Sequence, residues 1–150
     1  MIRGLRFEMP GEYGSYLNTI LSGLPLDKYV WSISEDDAFI DSDHFLFHSD
    51  VLSGEEFSKI IALPSYFVFF ANLQAYRSEN DLYEIDTYED FLSSKCELII
   101  FIVDAGFVDI YAKDAAVIEL MKRNAEKNEF EKIRYITDEN DVRKEFSVNG

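Results

Sequence analysis

The side chains best equipped for chemistry in this chain are two histidines, one cysteine and a large set of carboxylates. His44 and His48 stand in Asp41-Ser42-Asp43-His44-Phe45-Leu46-Phe47-His48-Ser49-Asp50, and four-residue histidine spacing beside carboxylates suits a metal site on a helix. Phe45-Leu46-Phe47 reads instead as a strand, in which a rise of about 3.3 Å per residue sets positions four apart roughly 13 Å from one another, too far to share one ion. The two histidines are therefore read as surface or edge residues. Asp36, Asp37, Asp41 and Asp43 crowd an adjoining loop, and clustered carboxylate oxygens suit a hard cation such as calcium. Counted from Asp41, however, Leu46 stands where the calcium loop needs glycine and Leu52 where it needs a bidentate glutamate, so a solvated acidic loop is expected.

The other chemistries have less to stand on. Cys96 precedes an apolar strand with no glycine-rich elbow or histidine beside it, which predicts a packed or capping thiol rather than a nucleophile. Among 29 acids many carboxylate pairs can be nominated for glycoside hydrolysis, so none is specific. The glycines assemble neither the dinucleotide fingerprint nor the phosphate loop with its lysine, and no cofactor is expected. Lys122, Arg123, Lys127, Lys132 and Arg134 gather late in the chain but are interleaved with Glu119, Glu126, Glu129 and Glu131, a poor surface for nucleic acid.

The elements that position these groups follow from periodicity. Ile2, Leu5 and Phe7 begin a strand that Pro10-Gly11 ends, and a helix is expected over 12–22. Tyr29 to Ile33 predicts a second strand, and Phe39-Ile40 with Phe45-Leu46-Phe47 suggests a short partner strand that follows an acidic turn and closes a hairpin with it. Ser53 with Glu56, and Thr87 with Asp90, are capping-box patterns opening helices over 54–62 and 87–94. Tyr66 to Ala71 and Leu98 to Val103 are apolar on both faces and are expected as central strands. Asp104-Ala105-Gly106 suggests a hairpin turn supplied by its glycine, leading to Phe107-Val108-Asp109-Ile110-Tyr111. Asp114 caps a helix over 114–128; Ile133, Tyr135 and Thr137 mark a strand, and a short helix is expected from Glu139 to Phe146. The pattern predicts an α+β fold over residues 1–150, a mixed, mainly antiparallel sheet with helices packed on it in a single domain.

The longest apolar runs are far shorter than the roughly 20 residues of a membrane span, and the opening residues do not form a signal peptide, so a cytoplasmic address is expected and no membrane partner. A net charge of -15 favours cations or a basic protein over nucleic acid and anionic lipid. The acidity is uneven, because residues 1–112 hold 20 acids against 6 bases while the remainder is nearly balanced.

Several stretches resemble a family of short acidic proteins of bacilli and their relatives, a domain of unknown function. The likeness is carried by Arg3-Gly4-Leu5-Arg6-Phe7-Glu8 with Glu12-Tyr13-Gly14-Ser15-Tyr16-Leu17, by Phe70-Ala71-Asn72-Leu73-Gln74-Ala75-Tyr76, by Thr87-Tyr88-Glu89-Asp90-Phe91-Leu92, and by Tyr135-Ile136-Thr137-Asp138-Glu139-Asn140-Asp141. It implies a bacterial cytoplasmic protein and supplies no activity, cofactor or site residue.

The function expected first is a non-enzymatic interaction protein that engages a basic partner, as an immunity protein engages a nuclease toxin. Its candidate contacts are Glu35, Asp36, Asp37, Asp41 and Asp43, with a second cluster at Glu79, Asp81, Glu84 and Asp86. The alternatives are a small enzyme or ligand-binding domain with a carboxylate-lined cleft, and a homo-oligomer subunit joined through strand edges or exposed aromatics. A concave pocket with buried carboxylates favours the ligand-binding alternative, and a flat acidic face favours the first reading.

Overall fold

In the computed structural model, which describes residues 1–150, the apolar runs become strands of one antiparallel sheet. The chain runs through β1 (Ile2–Glu8), α1 (Tyr16–Ile20), β2 (Val30–Asp41), β3 (His44–Phe45), β4 (Val51–Ser53) and α2 (Gly54–Ile61). It continues through β5 (Phe67–Tyr76), α3 (Tyr88–Ser93), β6 (Leu98–Val103), β7 (Phe107–Ala112), α4 (Ala115–Lys127) and β8 (Glu131–Thr137). The strand order is β3-β2-β5-β6-β7-β1-β8, with β4 pairing the far end of β2. The fold is α+β, an open eight-stranded sheet with four helices packed on it. No helix is long and apolar enough to cross a membrane.

β5 and β6 are neighbours at the centre; β6 is covered on both faces, as apolar residues of both parities require, whereas in β5 the covered stretch is Ala71 to Tyr76 and Phe69 of the expected run is exposed. Leu98, Ile100 and Ile102 join Leu73, Ile110, Leu5 and Trp31 in the larger core, which α1, α2 and α4 contribute to. Trp31 stacks on Phe57 of α2 at 4.1 Å between ring centroids. That helix is started by Ser53, whose hydroxyl accepts from the Glu56 amide while Glu56 accepts from the Ser53 amide. On the opposite face Ile99, Phe101, Tyr111, Phe91, Cys96 and Phe146 form a second, smaller core.

Four expectations are corrected. Residues 12–22 do not form one helix: Gly14 pairs with Tyr66 as an isolated bridge and α1 is five residues long. The acidic turn before Phe39 is no turn, since Glu35, Asp36 and Asp37 lie inside β2, which crosses them with a bulge at Glu35, φ 52°, so that Val30–Ile33 and Phe39-Ile40 are one strand rather than two arms of a hairpin. The β6–β7 turn takes its left-handed residues from Asp104 and Ala105, not from Gly106. Gly106 serves close approach, since a Cβ there would lie 3.0 Å from the Met9 carbonyl oxygen, while the Met9 amide donates to the Gly106 carbonyl at 2.8 Å. Residues 139–146 form no helix but an irregular strap that leaves a turn at 138–140, because Asp141, Arg143 and Phe146 are drawn to separate anchors on the second sheet face.

Candidate functional site

Alternation along β1 sends Leu5 and Phe7 into the larger core, and so turns Arg6 and Glu8 to the other face. Gly4 permits β1 to approach β7 this closely, since a Cβ there would lie 1.8 Å from the Ile110 carbonyl oxygen. The ladders then place Asp109 of β7 opposite Arg6 on one side and Arg134 of β8 opposite Arg6 on the other. The same row continues through Phe101 of β6 to Asn72 of β5. Three consecutive strands thus present acid, base and base on one face.

Arg6 grips Asp109 with both arms of its guanidinium, Nε to Oδ1 at 2.6 Å and Nη2 to Oδ2 at 2.9 Å. Arg143 of the strap donates to the same carboxylate at 2.8 Å and stacks 4.2 Å from the Phe101 ring centroid. Burial on its own would push the Asp109 carboxyl up, but the hydrogen bonds and charges of Arg6 and Arg143 outweigh it and hold the group below the ordinary carboxylate range. The Arg143 side chain is 7% exposed, yet its Nε has no acceptor.

The strap is fastened through three further residues. Asp141, with a side chain 0% exposed, accepts from Arg3 at 3.1 Å and from the Tyr111 hydroxyl at 3.0 Å. Phe146 lies 4.6 Å from Tyr111 and 5.5 Å from Phe101 between ring centroids, and its amide donates to the Asp86 carbonyl. Val148 donates its amide to Glu35. Between the strap and the end of the sheet an open cleft of about 660 Å³ remains. Arg6, Asp109 and Arg143 line it together with Arg134, Lys132 and Glu8, and Val103, Phe107 and Val148 supply apolar wall. Lys132 sits in the β8 bulge at φ 53°, 3.4 Å from Glu8, while Arg134 has no carboxylate partner.

The carboxylates proposed from sequence lie elsewhere. The two clusters fall toward opposite ends of the β2–β5 ladder, where Asp37 pairs with Phe70 and Val30 with Tyr76, a separation of about 20 Å. Glu35 is committed internally, accepting from Asn72 at 2.9 Å and from the Val148 amide. Asp41 accepts from the Asp43 amide and lies 2.8 Å from His44, which together hold it below the usual range. Asp36, Asp37 and Asp43 are exposed, and Asp43 borders a groove of about 410 Å³ lined by Tyr13, Phe39 and Phe45. Asp81 faces Lys95 at 3.7 Å, Glu79 and Glu84 are exposed, and the Asp86 backbone holds the strap. His48 is directed at Glu56, not at the carboxylate that His44 uses. Cys96 is fully buried, and burial pushes its thiol up to about 12.

Arg6, Asp109 and Arg143 were not singled out by chemistry in the sequence. The available signal was an ionisable residue inside each of two apolar strands, Leu5-Arg6-Phe7 and Val108-Asp109-Ile110. Such residues must find partners when the sheet is covered.

An uncharacterised protein of Bacillus subtilis (strain 168), YncE, is 35% identical over 153 residues, a match spanning 99% of this chain and 100% of that protein. No solved structure matches the chain. Residues 2–147 match the family described as protein of unknown function DUF2691, and with a relative this similar over its full length, the chain belongs to that family.

Proposed function

We propose that this protein is a small-ligand-binding domain whose site is the polar cleft between β7, β1, β8 and the strap. The observation that carries the reading is the buried Asp109 carboxylate clamped by Arg6 and Arg143 at the cleft. An ion triad of this kind stabilises a fold no better than well-packed apolar residues, so its placement beside an open cleft favours a role in fixing the cleft's walls. The cleft's size falls within the range of ligand pockets, about 300–1,000 Å³. Binding is favoured over acid–base catalysis because Asp109 is held as a carboxylate, with its proton affinity lowered rather than raised toward neutrality. The single cysteine, buried and unpaired, suits a reducing cytoplasm.

The test is a ¹⁵N–¹H correlation spectrum recorded with mixtures of neutral, cationic and anionic small molecules. Saturable shifts confined to Arg6, Asp109, Arg134 and Asn149, all of which line it, support the cleft. Silence at these amides with every mixture sinks it.

A second reading, association with a basic protein, is favoured by the groove at the β2–β3 end. There Phe45 is 79% exposed and Asp41 and Asp43 border the aromatic surface. Changing Asp36, Asp37 and Asp43 to lysine abolishes salt-sensitive capture of a basic partner on this reading. Unchanged capture removes it.

A further inference from the structure

We infer that the cleft takes an organic oxyanion, a phosphate ester or carboxylate, with Arg134 as its principal contact and Phe107 and Val103 receiving its apolar part. This rests on the cleft being the ligand site and adds the chemical class of what enters it.

Charge is the first argument. The side chains lining the cleft include four cations, Arg6, Lys132, Arg134 and Arg143, against two carboxylates, Asp109 and Glu8. This surplus of positive charge stands in a chain whose net charge is -15. Geometry is the second. Arg6 and Arg134 are directly opposed across the β1–β8 ladder, and like charges in that relation disfavour each other unless an anion lies between them. Asp109 neutralises Arg6 from the β7 side only, and the β8 side has no carboxylate that reaches Arg134. An oxyanion seated over the Arg6–Arg134 pair supplies the missing charge and meets the planar donor fork of Arg134 with two oxygens.

The clamp and the apolar wall give the third argument. Arg143 commits its Nη groups to Ser147 and Asp109. The arginine clamp on Asp109 stops the buried carboxylate of the cleft from competing for Arg134. The exposed Phe107 ring and the Val103 side chain stand beside the cations and give an organic substituent a surface to cover.

The experiment is calorimetric titration of the full chain at low ionic strength with phenyl phosphate, benzoate, and benzyl alcohol as neutral control. Wild type is compared with Arg134→Gln and with Arg123→Gln, which removes the same charge from the exposed side of α4. The expected result is saturable binding of an anion, weakened about tenfold by R134Q and unchanged by R123Q. Binding of phenyl phosphate alone, of benzoate alone or of both identifies which oxyanion is preferred. Equal binding of benzyl alcohol overturns the oxyanion assignment while leaving the cleft as a ligand site. Failure of both anions, or equal weakening by R134Q and R123Q, overturns it as well. In the former case the cleft itself is then judged by whether the mixture spectra show any neutral or cationic ligand there.

Discussion

Arg6 and Arg134 face each other across the β1–β8 ladder, and only Arg6 has a carboxylate to answer its charge. The asymmetry follows from register. A sheet in which β1 slipped by one residue would send Arg6 into the core and dissolve the row of Asp109, Arg6 and Arg134.

Replacing Asp109 by asparagine keeps the shape and removes the charge, leaving Arg6 and Arg143 adjacent and uncompensated. The expected cost is about 3 kcal/mol in urea unfolding at pH 7. Because the folded carboxyl titrates below its unfolded value of about 3.9, its stabilisation is complete above that pH and is lost as pH falls through the folded value. The asparagine variant therefore shows a shallower loss of stability below pH 4 than wild type. A variant within 1 kcal/mol of wild type and with the same acid limb contradicts the clamp.

Cys96 sits fully buried in the second core, its thiol donating to the Leu98 carbonyl at 3.4 Å. With the thiol pushed to about 12, the native protein at pH 8 holds almost no thiolate. Ellman's reagent is expected to react only as fast as the protein unfolds, with full reaction in denaturant. Reaction within minutes under native conditions contradicts this placement.

Phe146 pins the strap through four aromatic neighbours, Tyr88, Phe91, Phe101 and Tyr111. Phe146→Ala is expected to cost about 3–5 kcal/mol and to raise amide exchange at Val148, whose bond to Glu35 depends on the strap's course. Unaltered exchange at Val148 shows that the strap is held by its ion pairs alone.

Gly4→Ala introduces a Cβ into the Ile110 carbonyl oxygen, and relief requires β1 to leave β7. The expected loss is at least about 3 kcal/mol, with the Arg6–Asp109 pair disturbed. A thermal midpoint unchanged by the substitution contradicts the close approach.

Local pattern announced some elements and overstated others, such as the helix expected over 12–22, which Gly14 interrupts by bridging to Tyr66. Ser53 with Glu56 and Thr87 with Asp90 mark the starts of α2 and α3 because capping is decided within four residues. Leu98 to Val103 declares its central place because only a strand covered on both faces tolerates apolar residues of both parities. The strand order, and with it the cleft, depends on contacts across more than 100 residues, such as Arg6 with Asp109, which no local period records. The helix expected over Glu139 to Phe146 gives way to the strap for the same reason, since distant Tyr111, Asp109 and Phe101 decide its course. The carboxylate clusters were legible as exposed charge, but the commitment of Glu35 to Asn72 and Val148 required the folded chain.

The measurement closest to the central claim is a titration of the arginine Nε–H resonances with phenyl phosphate. With an oxyanion in the cleft, the Arg134 and Arg143 signals move together and saturate, while those of Arg77 and Arg123 stay in place. Uniform, unsaturating movement of all arginine signals, or movement absent at Arg134, contradicts an oxyanion site in the cleft.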